Sequence, residues 1–105
     1  MYFYSDLKSL TTKPTNFSGS SIIDFYAEMP ELTDTSKMFY NATSLVLFES
    51  DLPKVTNATN MFENCTDLQI FSCNLNSLVD AKNLFDDCKK LYSFYGNLES
   101  MKDGR

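Results

Sequence analysis

Few side chains in this sequence could do chemistry, and their spacing decides what kind. Cysteines stand at Cys65, Cys73 and Cys88, and the 105-residue chain has no histidine. Cys65 and Cys88 are 23 residues apart, so they could pair as a disulfide across stacked units or bind a metal together with Cys73. Against this, no two of the three have the close CxxC spacing of a zinc site. An odd count in so short a chain does not make a disulfide framework either. Ala42 occupies the position 23 residues before Cys65. A position shared by alanine and thiols reads as packing, so these cysteines are expected to be buried and free.

The acidic pair Asp86 and Asp87, with Glu63 and Asn64 at the same positions one unit earlier, could gather calcium. Lys89 and Lys90 follow directly and no glycine-rich acidic loop is present, so a solvated turn is the reading. Sequons at Asn16, Asn41, Asn57 and Asn64 could carry glycans in a eukaryotic secretory pathway. Asn41 and Asn64 recur only because the surrounding sequence recurs, and modification is not expected. Serine and tyrosine are plentiful, but without histidine or a placed lysine nothing activates a nucleophile. The sequence therefore points to no catalytic residue, no metal ligand and no cofactor.

The elements that would position any site come from an internal repeat. MFYNATSLVLFESDLPKVTNAT from Met38, MFENCTDLQIFSCNLNSLVDAK from Met61 and LFDDCKKLYSFYGNLESMKDGR from Leu84 align without gaps at a 23-residue offset. Phe25, Phe48, Phe71 and Phe94 hold one position; Met29, Leu52, Leu75 and Leu98 follow it, then Leu32, Val55, Leu78 and Met101. Phe17, Phe39, Phe62 and Phe85 hold a second aromatic position. An earliest copy reads Phe3, Leu7, Leu10 and Phe17, with one residue missing between Phe17 and Phe25.

A 23-residue unit is too short to bury its own apolar edge, so each must cover its neighbours. Ile22–Ala27, Leu45–Ser50, Leu68–Cys73 and Leu91–Gly96 are rich in strand formers and should pair in parallel, one per turn. A bend and a short helical turn should follow on the opposite side. Asp34, Asn57, Asp80 and Asp103, just before that turn, should cap free backbone N–H groups. The expected architecture is one leucine-rich-repeat-like solenoid over residues 1–105, about 4.5 repeats of 22–23 residues, cut from a longer array.

Inside and outside separate by column. The phenylalanine positions repeat, and Ala27, Ser50, Cys73 and Gly96 stay small, so both columns should face inward. Asp24, Leu47, Ile70 and Ser93 share a position but no chemistry, as do Tyr26, Glu49, Ser72 and Tyr95. Side chains alternate along a strand, so these two columns should form the exposed sheet face.

The stretches NATNMFENCTDLQIF and DAKNLFDDCKKLYSF resemble the BspA-type leucine-rich repeats, a family found in surface proteins of bacteria and some protists and similar to phage-encoded arrays. The resemblance implies a right-handed solenoid, an extracellular or cell-surface location, and adhesion or partner recognition. Phe in place of the usual second Leu on the strand, and Ala42 in place of Cys, depart from that pattern.

Composition narrows the partner. A net charge of −5 with no basic stripe excludes phosphate-driven nucleic-acid binding. No apolar run approaches the roughly 20 residues of a membrane span, and MYFYSDLKSL lacks a secretory core, so no membrane insertion is expected and any export signal lies outside this chain. Two functions fit. One is a binding module that meets a protein or glycan through Asp24, Tyr26, Leu47, Glu49, Ile70, Ser72, Ser93 and Tyr95. The other is a structural subunit that self-associates end to end, since neither end reads as a polar cap.

Overall fold

A computed structural model describes residues 2–12 and 17–95. The sequon at Asn16 and the repeat positions Gly96, Leu98, Met101 and Asp103 lie outside the described residues, as does the side chain of Tyr95.

Five strands form a single all-parallel sheet: β1 (Tyr2–Asp6), β2 (Asp24–Glu28), β3 (Leu47–Glu49), β4 (Ile70–Ser72) and β5 (Ser93–Tyr95). Each pairs with the next in chain order. Phe3, Phe25, Phe48, Phe71 and Phe94 stand opposite one another in unbroken register. The strands are shorter than the sequence leads one to expect. Leu45 and Leu68 end a turn instead of opening a strand, because their N–H groups bond locally to Ala42 and Cys65 carbonyls. The ladder begins only where Val46 and Gln69 donate to the carbonyls of Ile23 and Val46.

The core is the repeat written in side chains. All nine phenylalanines belong to one double ladder. Phe25, Phe48 and Phe71 stack with centroids 5.3 and 5.7 Å apart, and Phe39, Phe62 and Phe85 stack at 5.5 and 5.7 Å. The two columns interlock edge to face, as Phe48 and Phe62 do at 4.9 Å. Offset stacks and edge contacts are the arrangements that ring quadrupoles favour. Met29, Leu52, Leu75, Leu32, Val55 and Leu78 are buried beside them, as are Ala27, Ser50 and Cys73. Phe94 is an exception to the expected burial. It stacks on Phe71 at 5.1 Å yet remains 41% exposed, because β5 is the last strand of the sheet and covers it on one side only.

No helix forms among the described residues, so the expected helical turns are replaced by hydrogen-bonded turns. The cause is two left-handed residues per unit, four positions apart: Lys37 and Asn41, Asn60 and Asn64, Asn83 and Asp87, with φ between 56° and 64°. A left-handed residue cannot continue a right-handed helix. Instead, alternate N–H groups turn outward. Thr35, Lys37, Phe39 and Asn41 donate to Asn57, Thr59, Met61 and Glu63 carbonyls at 2.9–3.0 Å, while Met38, Tyr40 and Ala42 bond locally. The next unit repeats the pattern from Ala58 to Asn64. The backbone of the turn side is thus satisfied between units, as the sheet side is.

The capping expectation is met in a tighter form. Asp34, Asn57 and Asp80 accept from the N–H two residues on, at 2.8, 3.0 and 3.3 Å, which makes Asx turns. These three residues also bridge in parallel from unit to unit.

Candidate binding face

Strand alternation sends Phe25, Phe48 and Phe71 into the core and leaves residues 24 and 26, 47 and 49, 70 and 72 on the other face of the sheet. The register brings the candidate residues into two rows, Asp24–Leu47–Ile70–Ser93 and Tyr26–Glu49–Ser72–Tyr95. Tyr26 and Glu49 are exposed, whereas Asp24, Leu47, Ile70, Ser72 and Ser93 are half-buried by their neighbours.

Both rows continue onto β1, where Tyr2 pairs with Asp24 and Tyr4 with Tyr26. Tyr2 and Tyr4 are 65% and 64% exposed, more than Tyr26 at 43%. They were absent from the candidate residues, although extending the two rows back from Phe25 to Phe3 points straight to them. The Tyr4 ring lies 6.3 Å from that of Tyr26. Loss of surrounding water and then the Asp24 carboxylate raise the Tyr4 pKa, so this hydroxyl stays protonated as a donor.

The face is acidic. Strands β2, β3 and β4 carry Asp24, Glu28 and Glu49 and no lysine or arginine. The described ion pairs lie around it: Lys8 with Glu28 at 3.4 Å, Lys54 with Glu31 at 2.8 Å and Lys90 with Asp67 at 3.1 Å. The last two join residues 23 apart and tie adjacent units at exposed positions, where each pair contributes only about 0.2–1 kcal/mol.

The cysteines are free and packed, but not mute. Cys65 Sγ donates to the Phe39 carbonyl at 3.1 Å, and Cys88 Sγ to that of Phe62 at 3.0 Å, each joining one unit to the one before. Burial pushes the Cys65 thiol up to about 12 and that of Cys88 to about 11; the Cys73 thiol is raised further still, by burial and then by the Asp51 charge. Thiols so protonated are poor nucleophiles. Among the described residues, no group of three or more histidine, cysteine, aspartate or glutamate side chains is placed to hold a metal ion. Asp86 and Asp87 are exposed on a turn. The Asn64 side-chain amide donates to that of Asn41 at 2.9 Å, and Asn57 holds its Asx turn, so three of the sequon amides already serve the fold. No helix among the described residues is long and apolar enough to cross a membrane.

No protein-family model, curated protein or solved structure matches the chain.

Proposed function

We propose that this chain is a right-handed solenoid of the leucine-rich-repeat kind, and that its exposed parallel-sheet face binds a protein partner without catalysing a reaction. The observation that carries the reading is the contrast between faces of one sheet. The inner row holds phenylalanine on every strand. The outer rows hold Tyr, Asp, Leu, Glu, Ile and Ser on the same backbone positions. A rigid face with half-buried aliphatics at its centre and exposed tyrosines at one end has the side-chain mix of contact surfaces. Protonated buried thiols and a chain without histidine support a non-enzymatic role.

The test is substitution on the face alone. Leu47→Gln combined with Ile70→Gln should leave the fold intact by circular dichroism and remove a partner retained by the unaltered protein. Retention of the same partner at unchanged affinity would place the contact elsewhere.

A second reading, end-to-end self-association, draws support from Phe94, whose ring is 41% exposed on the sheet's last strand. It expects a concentration-dependent mass in light scattering, lowered by Phe94→Ser. A constant monomer mass would dismiss it.

A further inference from the structure

The geometry points to a second copy of this chain as the partner of the molecule's ends, docked in one direction only: the β5 end of one copy receives the β1 end of the next, in parallel and in register. This rests on the end-to-end reading and gives it a partner and a polarity.

The polarity comes from the turn side. Gly19, Asn41 and Asn64 donate their N–H groups to the carbonyls of Tyr40, Glu63 and Asp86, while Phe39 and Phe62 donate to those of Met61 and Leu84. Each of these donors belongs to the earlier unit and each acceptor to the later one. Phe85 and Asp87 hold the next donor positions, and among the described residues their N–H groups have no acceptor. Asn83 and Asp87 have the same left-handed φ as Asn60 and Asn64, so the backbone aims these N–H groups the same way. At the other end Ser18 precedes Tyr40 in the acceptor row, and among the described residues its carbonyl accepts no backbone N–H. One end of the stack thus presents donors and the other an acceptor. Two β5 ends would set donor against donor, so a symmetric pairing leaves these groups unmatched.

The core supplies an independent indication, because its apolar columns open at the same two ends. Phe94 is 41% exposed, with Phe85 and Leu91 half-buried. At the β1 end Phe3 is half-buried, and Leu7 and Leu10 line an open groove of about 460 Å³. Phe3 begins the column that Phe94 ends. Placing Phe3 of a second copy on Phe94 repeats a ring-on-ring step that the column already makes four times, at 5.0, 5.3, 5.7 and 5.1 Å. The contact is therefore a continuation of the interface between units. Neither edge strand, YFYSD or SFY, contains the lysine or proline that commonly guards a sheet edge. A contact of this kind joins two different surfaces and does not close on itself, so association is open-ended.

Two blocked variants test this by light scattering. Phe94→Glu blocks the β5 end and Leu10→Glu the β1 end. Circular dichroism checks that each is folded; if Leu10→Glu is not, Ser9→Trp, at an exposed position on the same groove, takes its place. The mass of the unaltered protein should rise with concentration past twice that of the monomer. Each variant alone should stay monomeric. Their equimolar mixture should reach twice the monomer mass and stop, because one free β5 end meets one free β1 end. Amide exchange at Phe85 and Asp87 of the chain blocked at its β1 end should slow in that mixture. A mixture that stays monomeric, a variant that dimerises with itself, or unchanged exchange at Phe85 and Asp87 overturns the directed docking. If the unaltered protein's mass still rises in any of those cases, end-to-end association stands and only its direction falls. A constant monomer mass for the unaltered protein removes both.

Discussion

The sheet side and the turn side of this molecule stack the same units in the same direction, yet they are specified differently. On the sheet side, β3, β4 and β5 are three residues long, and their outer rows change chemistry at every step but the one from Leu47 to Ile70. On the turn side the same residue types return. Asp or Asn closes each Asx turn, a second left-handed position holds Asn41, Asn64 and Asp87, and methionine or leucine precedes Phe39, Phe62 and Phe85. Outer sheet side chains answer to little beyond strand compatibility, while turn side chains must fit a left-handed backbone and a packed interior at once. One side is therefore free to vary, and the other keeps the register.

The sharpest way to break this comparison is to remove one ring from each side. Phe48 comes from the sheet side and Phe62 from the turn side; both are fully buried, with centroids 4.9 Å apart. Phe48→Ala and Phe62→Ala should each cost about 3–5 kcal/mol in urea unfolding. The double variant should show a coupling of about 0.5–1.5 kcal/mol, since the two rings touch. A small loss for Phe48→Ala alone would mean that the turn side holds the stack without the sheet.

The thiols sharpen the comparison by pH, with Cys65 on the turn side and Cys73 at the end of a strand. An unfolded thiol ionises near 9, whereas folded Cys65 stays neutral to about 12 and Cys73 is also raised. Above pH 9 the unfolded chain binds fewer protons than the folded one, so raising the pH favours unfolding. Stability from these groups is complete below pH 9 and is lost as the pH climbs towards 12. The loss is at most about 1.4 kcal/mol per pH unit for each thiol. Melts of the reduced protein at pH 8, 9 and 10, taken as differences from Cys65→Ala and Cys73→Ala, isolate this from tyrosine and lysine titration. Parallel curves for parent and variants would show that neither thiol is shielded from water in the folded state.

The sequence made the two sides legible to different depths. The phenylalanine columns repeat at fixed spacing, so the core and the parallel stacking could be read directly. The outer rows showed as positions without shared chemistry. What failed was the turn. Asn41, Asn64 and Asp87 are types that tolerate the left-handed region, but Lys37 sits in the other left-handed column beside Asn60 and Asn83 and hides its pattern. A helical turn was the natural reading of a capping residue followed by Met-Phe. The cysteine bonds to Phe39 and Phe62 carbonyls were invisible for another reason: Ala42 fills the same place without a donor, so the column reads as volume alone.

The left-handed columns give the finest test, because they isolate backbone preference from packing. Asn64 has φ 64° and donates its amide to Asn41. Asn64→Ala should cost about 1 kcal/mol, and Asn64→Gly less, since glycine keeps the backbone and loses only the amide bond. Lys37 is the reverse case. It holds φ 58°, is exposed, and donates its N–H to the Thr59 carbonyl at 3.0 Å, as Asn60 donates to that of Lys82 at 2.9 Å. Asn60 also bonds Glu63, but the matching partner of Lys37 would be Tyr40, so Lys37→Asn gains no such contact. Any gain must come from easier access to the left-handed region, about 0.5–1 kcal/mol. Lys37→Asn should therefore raise the urea midpoint slightly, with an unchanged slope. A fall as large as that of Asn64→Ala would show that side-chain contacts, not backbone preference, set the turn side, and the contrast between the two sides would lose its basis.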